Sequence, residues 1–397
     1  MKTSIPPLSP PSSLAKLFNR LRLLVPSLLL LIAAILLLLL LLRSDPPHFI
    51  SSVNSNPSHP TRPPLSSIVP DHDHPAPAFN RSPPGPPKPN LSLFVHEMDD
   101  PELLRAVSKP PYNAHRVPDG AVPKVAFMFL TRNALPLAPL WEKFFEGHRG
   151  LYSIYVHSHL TNNNLVRSKQ SVFHGRIIPS KVVKWGRVNM IEAERRLLAS
   201  ALLDTLNQRF VLLSDSCIPL FNFSTIYSYL INSTKSSYIE VYDSRGKTGR
   251  GRFRPILKPL ITIRQWRKGS QWFEVDRYIA TRVVSDRTYF PAFQRSCKRK
   301  ACYADEHYLP TFANIKFRER NAGRSLTWVD WTKGGAHPGR FVRPSVTPKF
   351  LEKMRFGSEC EYNGKKSHVC YLFARKFTSH ALERLLWFAP KVMRFDD

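Results

Sequence analysis

Apolar positions along the chain fall into three regimes. Leu23–Leu42, "LLVPSLLLLIAAILLLLLLL", is an unbroken apolar run. From Arg43 to about Pro123, Pro, Ser, Asn and His dominate, as in "NRSPPGPPKPN" (80–90). Such a composition cannot bury enough apolar surface to fold and favours extended polyproline II. A short helix that packs on the folded part is expected within Val95–Ala106. Beyond Val122, short apolar runs alternate with helically spaced ones. "KVAFMFL" (124–130) reads as a buried strand and "PLAPLWEKFFEG", ending at Gly147, as a helix. "YSIYVHS" (152–158) is a second strand, and "SKVVKWG" holds a short third one ending at Gly186. In "NMIEAERRLLASALLDTL", Ile191, Leu198, Leu202 and Leu206 share a helix face, with Asn189 and Glu192 spaced as a capping box. "RFVLLSDSCIPL" (209–220) and "SSYIEVY" (236–242) read as further strands. Strands alternating with helices predict an α/β domain with a mainly parallel sheet, whose chemistry lies at the strands' carboxyl ends.

The first apolar run spans 20 residues without a charge. At about 1.5 Å per residue that crosses a bilayer core of about 30 Å. Lys2, Lys16, Arg20 and Arg22 precede it with no acid before Asp45, which places the N-terminus in the cytosol and the rest in a lumen. A cleaved signal peptide would have a shorter apolar region ending in small residues. A retained anchor is therefore expected. The organisation is a cytosolic tail (1–22), a transmembrane anchor (23–42), a Pro-rich lumenal stem (43–121) and a catalytic domain (122–397).

Charge changes meaning in that compartment. The chain has 397 residues and 36 prolines, with 58 Lys and Arg against 29 Asp and Glu, a net +29. Such an excess ordinarily suggests nucleic acid. Four of the basic residues belong to the tail, leaving a net +25 beyond it. The polyanion met in a lumen is an acidic glycan, a nucleotide sugar or a membrane surface, so no nucleic-acid partner is expected. Asn80, Asn90, Asn222 and Asn232 are glycosylation acceptors by sequence. Cys297, Cys302, Cys360 and Cys370 form two close pairs suited to disulfides, with connectivity open, and Cys217 is left as a free, buried thiol.

The chemistry has few candidate motifs. Neither a Gly-rich phosphate loop nor a G-x-S-x-G elbow occurs. The one D-x-D, Asp71-His72-Asp73, lies in the stem and reads as chance. If a sugar diphosphate is the substrate, cations must stabilise the leaving group. Arg375 and Lys376 follow an apolar run and precede the helix "SHALERLLWF", which Ser379 could cap; Lys365 and Lys366 lie shortly before. Asp305 and Glu306 are adjacent, so they point apart and do not make a hydrolase pair. Asp305 suits a helix start and Glu306 a general base, while Pro310 keeps any following helix short or kinked. Arg250, Arg252, Arg254 and Lys258, together with Trp266, Trp272, Trp328, Trp331 and His337, offer cations and sugar-stacking faces.

Taken in order, "AFMFLTRNALPLAPLWEKFF", "YSIYVHSH", "KWGRVNMIEAERRLLASAL", "FVLLSDSCIPL", "KGSQWFEVDR", "CYADEHYLPTF", "LTWVDWTKGGAHP" and "LFARKF" resemble the plant branch of the core-2/I-branching β-1,6-N-acetylglucosaminyltransferase family, brittle-culm type. The resemblance covers about Val122 to Phe388. It implies a GT-A-like, Rossmann-like single catalytic domain, a type II Golgi membrane protein, and inverting, metal-independent transfer from a UDP-sugar to a glycan, cell-wall polysaccharide or glycoprotein acceptor. No cofactor or metal is expected. By resemblance Glu306 is the catalytic base and Lys376 contacts the diphosphate, with Arg375 or Lys366 as its second cation. Ser270, Trp328, Trp331 and Arg254 would line the acceptor site, and Thr131, Arg132 and His157 the nucleotide's surroundings. His157 and Cys217 stand where the animal enzymes have Asp, so the resemblance leaves the donor sugar open. The second reading is a catalytically inactive lumenal protein that keeps the fold and binds acidic glycans.

Overall fold

The computed structural model describes residues 96–112, 117–132, 134–158, 168–234, 237–298 and 302–396. All fall in one compact unit that begins at Pro84. The expected anchor, most of the stem, Asp71-His72-Asp73, Asn80 and Asn90 lie outside the described residues. Among the described residues no helix is long and apolar enough to cross a membrane.

The central sheet is built from β1 (Lys124–Thr131), β2 (Tyr152–Ser158), β3 (Asn207–Ser214) and β5 (Glu274–Asp276), in the order β2-β1-β3-β5. The first three run parallel and β5 is antiparallel to β3. Strand β1 is apolar throughout because both of its faces are covered. Val125, Phe127 and Phe129 meet Trp141, Phe144 and Phe145 of α2 (Ala138–Phe145). Ala126 and Met128 point the other way, into a core with Leu197, Leu198 and Leu202 of α3 (Asn189–Leu202). The expected helix near Val95–Ala106 is α1 (Asp100–Val107), which buries Leu103 and Val107 in that second core.

Helix α3 buries charge as well as apolar surface. Arg195 donates to the carbonyls of Val283 and Val284 at the end of α5 (Arg277–Val284), where the helix leaves carbonyls unpaired. Arg196 grips both oxygens of Asp100 in α1 at 2.7 and 2.6 Å. The capping box does not form. Asn189 is already the first helical residue; its side chain accepts from the Lys184 N–H and donates to the Val182 carbonyl, tying down the preceding loop.

Two expected strands are extended segments without ladders. The first meets β2 only around the bridge Val156–Ile177, where the Ile178 N–H bonds to the Val156 carbonyl, and no strand follows before Gly186. Residues 237–242 make separate bridges to Asn321, Glu274 and Lys268, so the partner changes every few residues. Elsewhere, β4 (Ile218–Pro219), β6 (Thr327–Val329) and β9 (Phe373–Arg375) form a second sheet with β9 central. Strands β7 (Cys360–Tyr362) and β8 (Lys365–Ser367) form a hairpin turned at Asn363 and Gly364, both in the left-handed region favoured there. The remaining helices are α4 (Phe223–Ile231), α6 (Tyr289–Ser296), α7 (Tyr308–Lys316), α8 (Pro348–Phe356) and α9 (Leu382–Met393). Pro310 sits in the first turn of α7, where its missing N–H has no helical partner to lose. Ser379 caps nothing: it lies in a 3-10 turn, and α9 starts without a side-chain cap.

Disulfides join Cys297 to Cys302 and Cys360 to Cys370, and Cys217 is free and buried. Asn222 caps α4 by accepting from the Thr225 N–H, and Asn232 ends the same helix.

Candidate active site

A cleft of about 1910 Å³ opens at the carboxyl ends of β1 and β3, where a parallel sheet leaves backbone groups and loops free for chemistry. Strand β1 delivers Thr131 and Arg132, and β3 delivers Ser214, Asp215 and Ser216. Strand β9 runs between β4 and β6, so its end brings Arg375 and Lys376 to the same rim. Backbone bonds from Phe377 N–H to Ser216 and from Phe341 N–H to the Lys376 carbonyl, both 2.9 Å, fix that end in place.

The opposite wall carries the acidic pair. Residues Ala304–Glu306 form a 3-10 turn ahead of α7. The Glu306 carbonyl accepts from the Gly269 N–H at 3.0 Å, so the two wall segments are joined through backbone. Gly269 lies so close to Glu240 that an added Cβ would fall 1.8 Å from its carbonyl oxygen. The Glu306 carboxylate lines the cleft. Its Oε2 takes Arg252 Nη1 at 2.7 Å and Lys268 Nζ at 3.3 Å, all three side chains being mostly buried.

Asp305 does not cap a helix. Its side chain is buried, and Oδ1 has no hydrogen-bond partner. Helix α7 begins after His307, which supplies no side-chain cap. Burial, with the Glu306 charge added, pushes the Asp305 carboxyl up to about 7. A second buried acid, Glu194 of α3, accepts from Gln271 Nε2 at 2.8 Å; burial and Asp305 hold its carboxyl well above the usual range. His307 is fully buried, stacks on Trp266 at 4.5 Å and donates from Nδ1 to the Arg267 carbonyl at 2.8 Å. Burial holds its imidazole down to about 4, so it is a neutral bracket and not a charge.

The cationic rim has the character of an anion site. The Arg375 guanidinium lies 4.1 Å over the Trp272 ring, and its buried Nε lacks a hydrogen-bond partner. Burial lowers the pKa of Lys376, and Arg375, Arg340 and Arg132 push it further the same way, opposed by Asp215. Several positive groups thus share one rim of the cleft, with Asp215 as the carboxylate that opposes them there. Among the described residues no group of three or more His, Cys, Asp and Glu side chains could hold a metal ion.

The cleft therefore brings together Glu306, Lys376, Arg375, Thr131, Arg132, Ser270 and the half-exposed Trp331. The other expected site residues stand elsewhere. Lys366 is on the β7–β8 hairpin, paired with Glu359 at 2.8 Å in solvent. Arg254 donates to the Ser296 carbonyl at 2.6 Å. Trp328 packs half-buried against Phe341 and Phe350. His157 is buried at the end of β2, bonded to Arg196 at 2.9 Å and to the Lys181 N–H at 3.3 Å. Sequence reasoning did not single out Lys268, Asp215 and Arg340. The one available signal was position: Asp215 directly follows a strand, and strand ends carry the site.

Residues 125–355 match the Core-2/I-Branching enzyme family. The chain is also 37% identical to Glycosyltransferase BC10 of Oryza sativa subsp. japonica over an alignment of 310 residues, which covers 66% of this chain and 76% of that protein.

Proposed function

Because the chain belongs to the core-2/I-branching enzyme family and is a glycosyltransferase, we propose that it transfers a sugar from a UDP-sugar to a glycan acceptor with inversion and without a metal. The observation that carries this reading is one cleft holding a paired carboxylate on one wall and a cluster of Lys and Arg on the other.

The acceptor hydroxyl gives its proton to Glu306 as its oxygen bonds to the anomeric carbon. The bond from that carbon to the β-phosphate oxygen breaks, and the electron pair leaves with UDP. Arg252 and Lys268 both occupy Oε2, which leaves Oε1 to receive the proton. The two cations also hold the carboxylate in place while the substrate arrives. Lys376 and Arg375, with Arg132 and Arg340 nearby, neutralise the charge that develops on the diphosphate, the work a metal does in D-x-D enzymes. The Lys376 pKa is lowered first by burial and then by the neighbouring Arg375, Arg340 and Arg132, and an incoming anion offsets both effects.

The compartment belongs to the same proposal. The protein is a single-pass Golgi membrane protein anchored by Leu23–Leu42, with its catalytic domain in the lumen. Two disulfides in the folded domain support an oxidising compartment.

The test is a turnover screen of UDP-sugars against glycan acceptors, with and without EDTA. Transfer that survives chelation is the expected result. Strict dependence on Mn²⁺ overturns the metal-free reading, and turnover with none of the donors overturns the whole.

A further inference from the structure

Three large aromatic side chains stand exposed on the cleft, an unfavourable place for apolar surface unless a ligand covers it. Trp185 is 48% exposed, Trp331 51% and Tyr242 43%. Trp185 is not a loose side chain. It packs edge-on against Tyr303 at 5.0 Å and tilted against His337 at 5.3 Å. The Gly186 carbonyl beside it accepts from the backbone N–H groups of Cys302 and Tyr303 at 2.9 and 3.1 Å. The Cys297–Cys302 disulfide ties that segment to the end of α6. Tyr303 takes φ 47° and ψ 47°, a left-handed conformation that costs energy for an aromatic residue. Its ring lies 4.1 Å beneath the Arg252 guanidinium, the group that binds Glu306. The contacts run without a break from Glu306 through Arg252 and Tyr303 to Trp185 and His337.

We infer that Trp185 and Tyr303 form a second acceptor subsite, which stacks a sugar ring next to the one that reacts at Glu306. The occupant is a glycan chain, not a lone monosaccharide and not a bare peptide hydroxyl. Two features select it. Pyranose rings present a C–H face that suits an immobile aromatic ring, while their hydroxyls suit neighbours such as His337 and Ser270. The cleft, at about 1910 Å³, is also larger than the ~300–1,000 Å³ that a small-molecule ligand fills, so room remains beyond a nucleotide sugar. The inference rests on the transfer reading above, and it adds the length of the acceptor to that reading.

The experiment measures binding to the full-length protein in detergent. The probes are β-1,4-linked xylose and β-1,3-linked galactose oligosaccharides of one to five rings, titrated without donor. In at least one series affinity should rise from one ring to three. Trp185→Ala should lose about three- to tenfold of that affinity, the size of one aromatic stacking contact. Trp387→Ala removes a Trp that is more exposed still but lies outside the cleft, and should match the parent protein. Length-independent affinity, no binding by either series, or a Trp185→Ala protein that keeps the full gain overturns the inference. UDP affinity is read on the same samples. Its loss counts against the donor reading, whereas glycan binding is read without donor, so the two failures stay distinct.

Discussion

Asp305→Asn should make the folded protein less sensitive to rising pH. Asp305 is buried, its Oδ1 lacks a hydrogen-bond partner, and its carboxyl is raised from 3.8 to about 7. Between those values the folded protein keeps a proton that the unfolded chain releases. The unfolded state then binds fewer protons, so the free energy of unfolding falls as pH rises through this window. Below it both states are protonated, and above it both are ionised and the loss is complete. At 1.36 kcal/mol for each pH unit, the full loss is on the order of 4 kcal/mol. Asn has the shape of the protonated acid and no charge to bury. The variant and the parent should therefore be close in stability near pH 4, and the variant should be the more stable by up to that amount near pH 8. Urea unfolding followed by Trp fluorescence at pH 4, 5, 6, 7 and 8 measures both curves. Glu194 is shifted in the same direction, in part by Asp305 itself, so the difference between the curves reads Asp305 together with its coupling to Glu194. Parallel curves would refute the reasoning.

Two further substitutions, one with a control, probe the walls of the cleft. Lys376→Ala should weaken UDP binding by about 10- to 100-fold, the worth of one hydrogen bond to a charged group, while Lys366→Ala, exposed and paired with Glu359, should leave it unchanged; calorimetry on both variants checks this. Gly269→Ala should cost about 1–3 kcal/mol and slow turnover, because the new Cβ meets the Glu240 carbonyl and Pro310 Cγ and displaces the segment that holds the Glu306 backbone; thermal unfolding and kcat read the two effects.

The elements that could be read from sequence were those whose residues are buried on both sides. Strands β1 and β3 carry continuous apolar runs, and β2 is buried along its length, because helices cover each face of the sheet. Residues 237–242 carry similar apolar residues but form no continuous ladder, because their partner changes from Asn321 to Glu274 to Lys268, and pairing is decided by parts of the chain far away. The helix from Asn189 was legible from its period, but its cap was not, because Asn189 had a better pair of partners in the loop before it. The two disulfides join neighbours in sequence, so proximity alone suggested them. Glu306 and Lys376 could be named from their motifs, and both line the cleft. Trp328, His157, Arg254 and Lys366 have the right residue types, but their side chains are directed into the core, to backbone carbonyls or into solvent. Direction is set by packing, which spacing does not reveal. Lys268 arrives from a segment with no period at all, and only the folded chain sets it beside Glu306.

The central claim is that Glu306 takes the acceptor proton. Its most direct test is Glu306→Gln, assayed for sugar transfer and for UDP binding on the same preparation. General-base catalysis contributes about 10²–10⁴-fold, so transfer should fall by that factor while UDP affinity stays at the parent value. A variant that binds UDP normally and turns over within a few-fold of the parent would contradict the assignment.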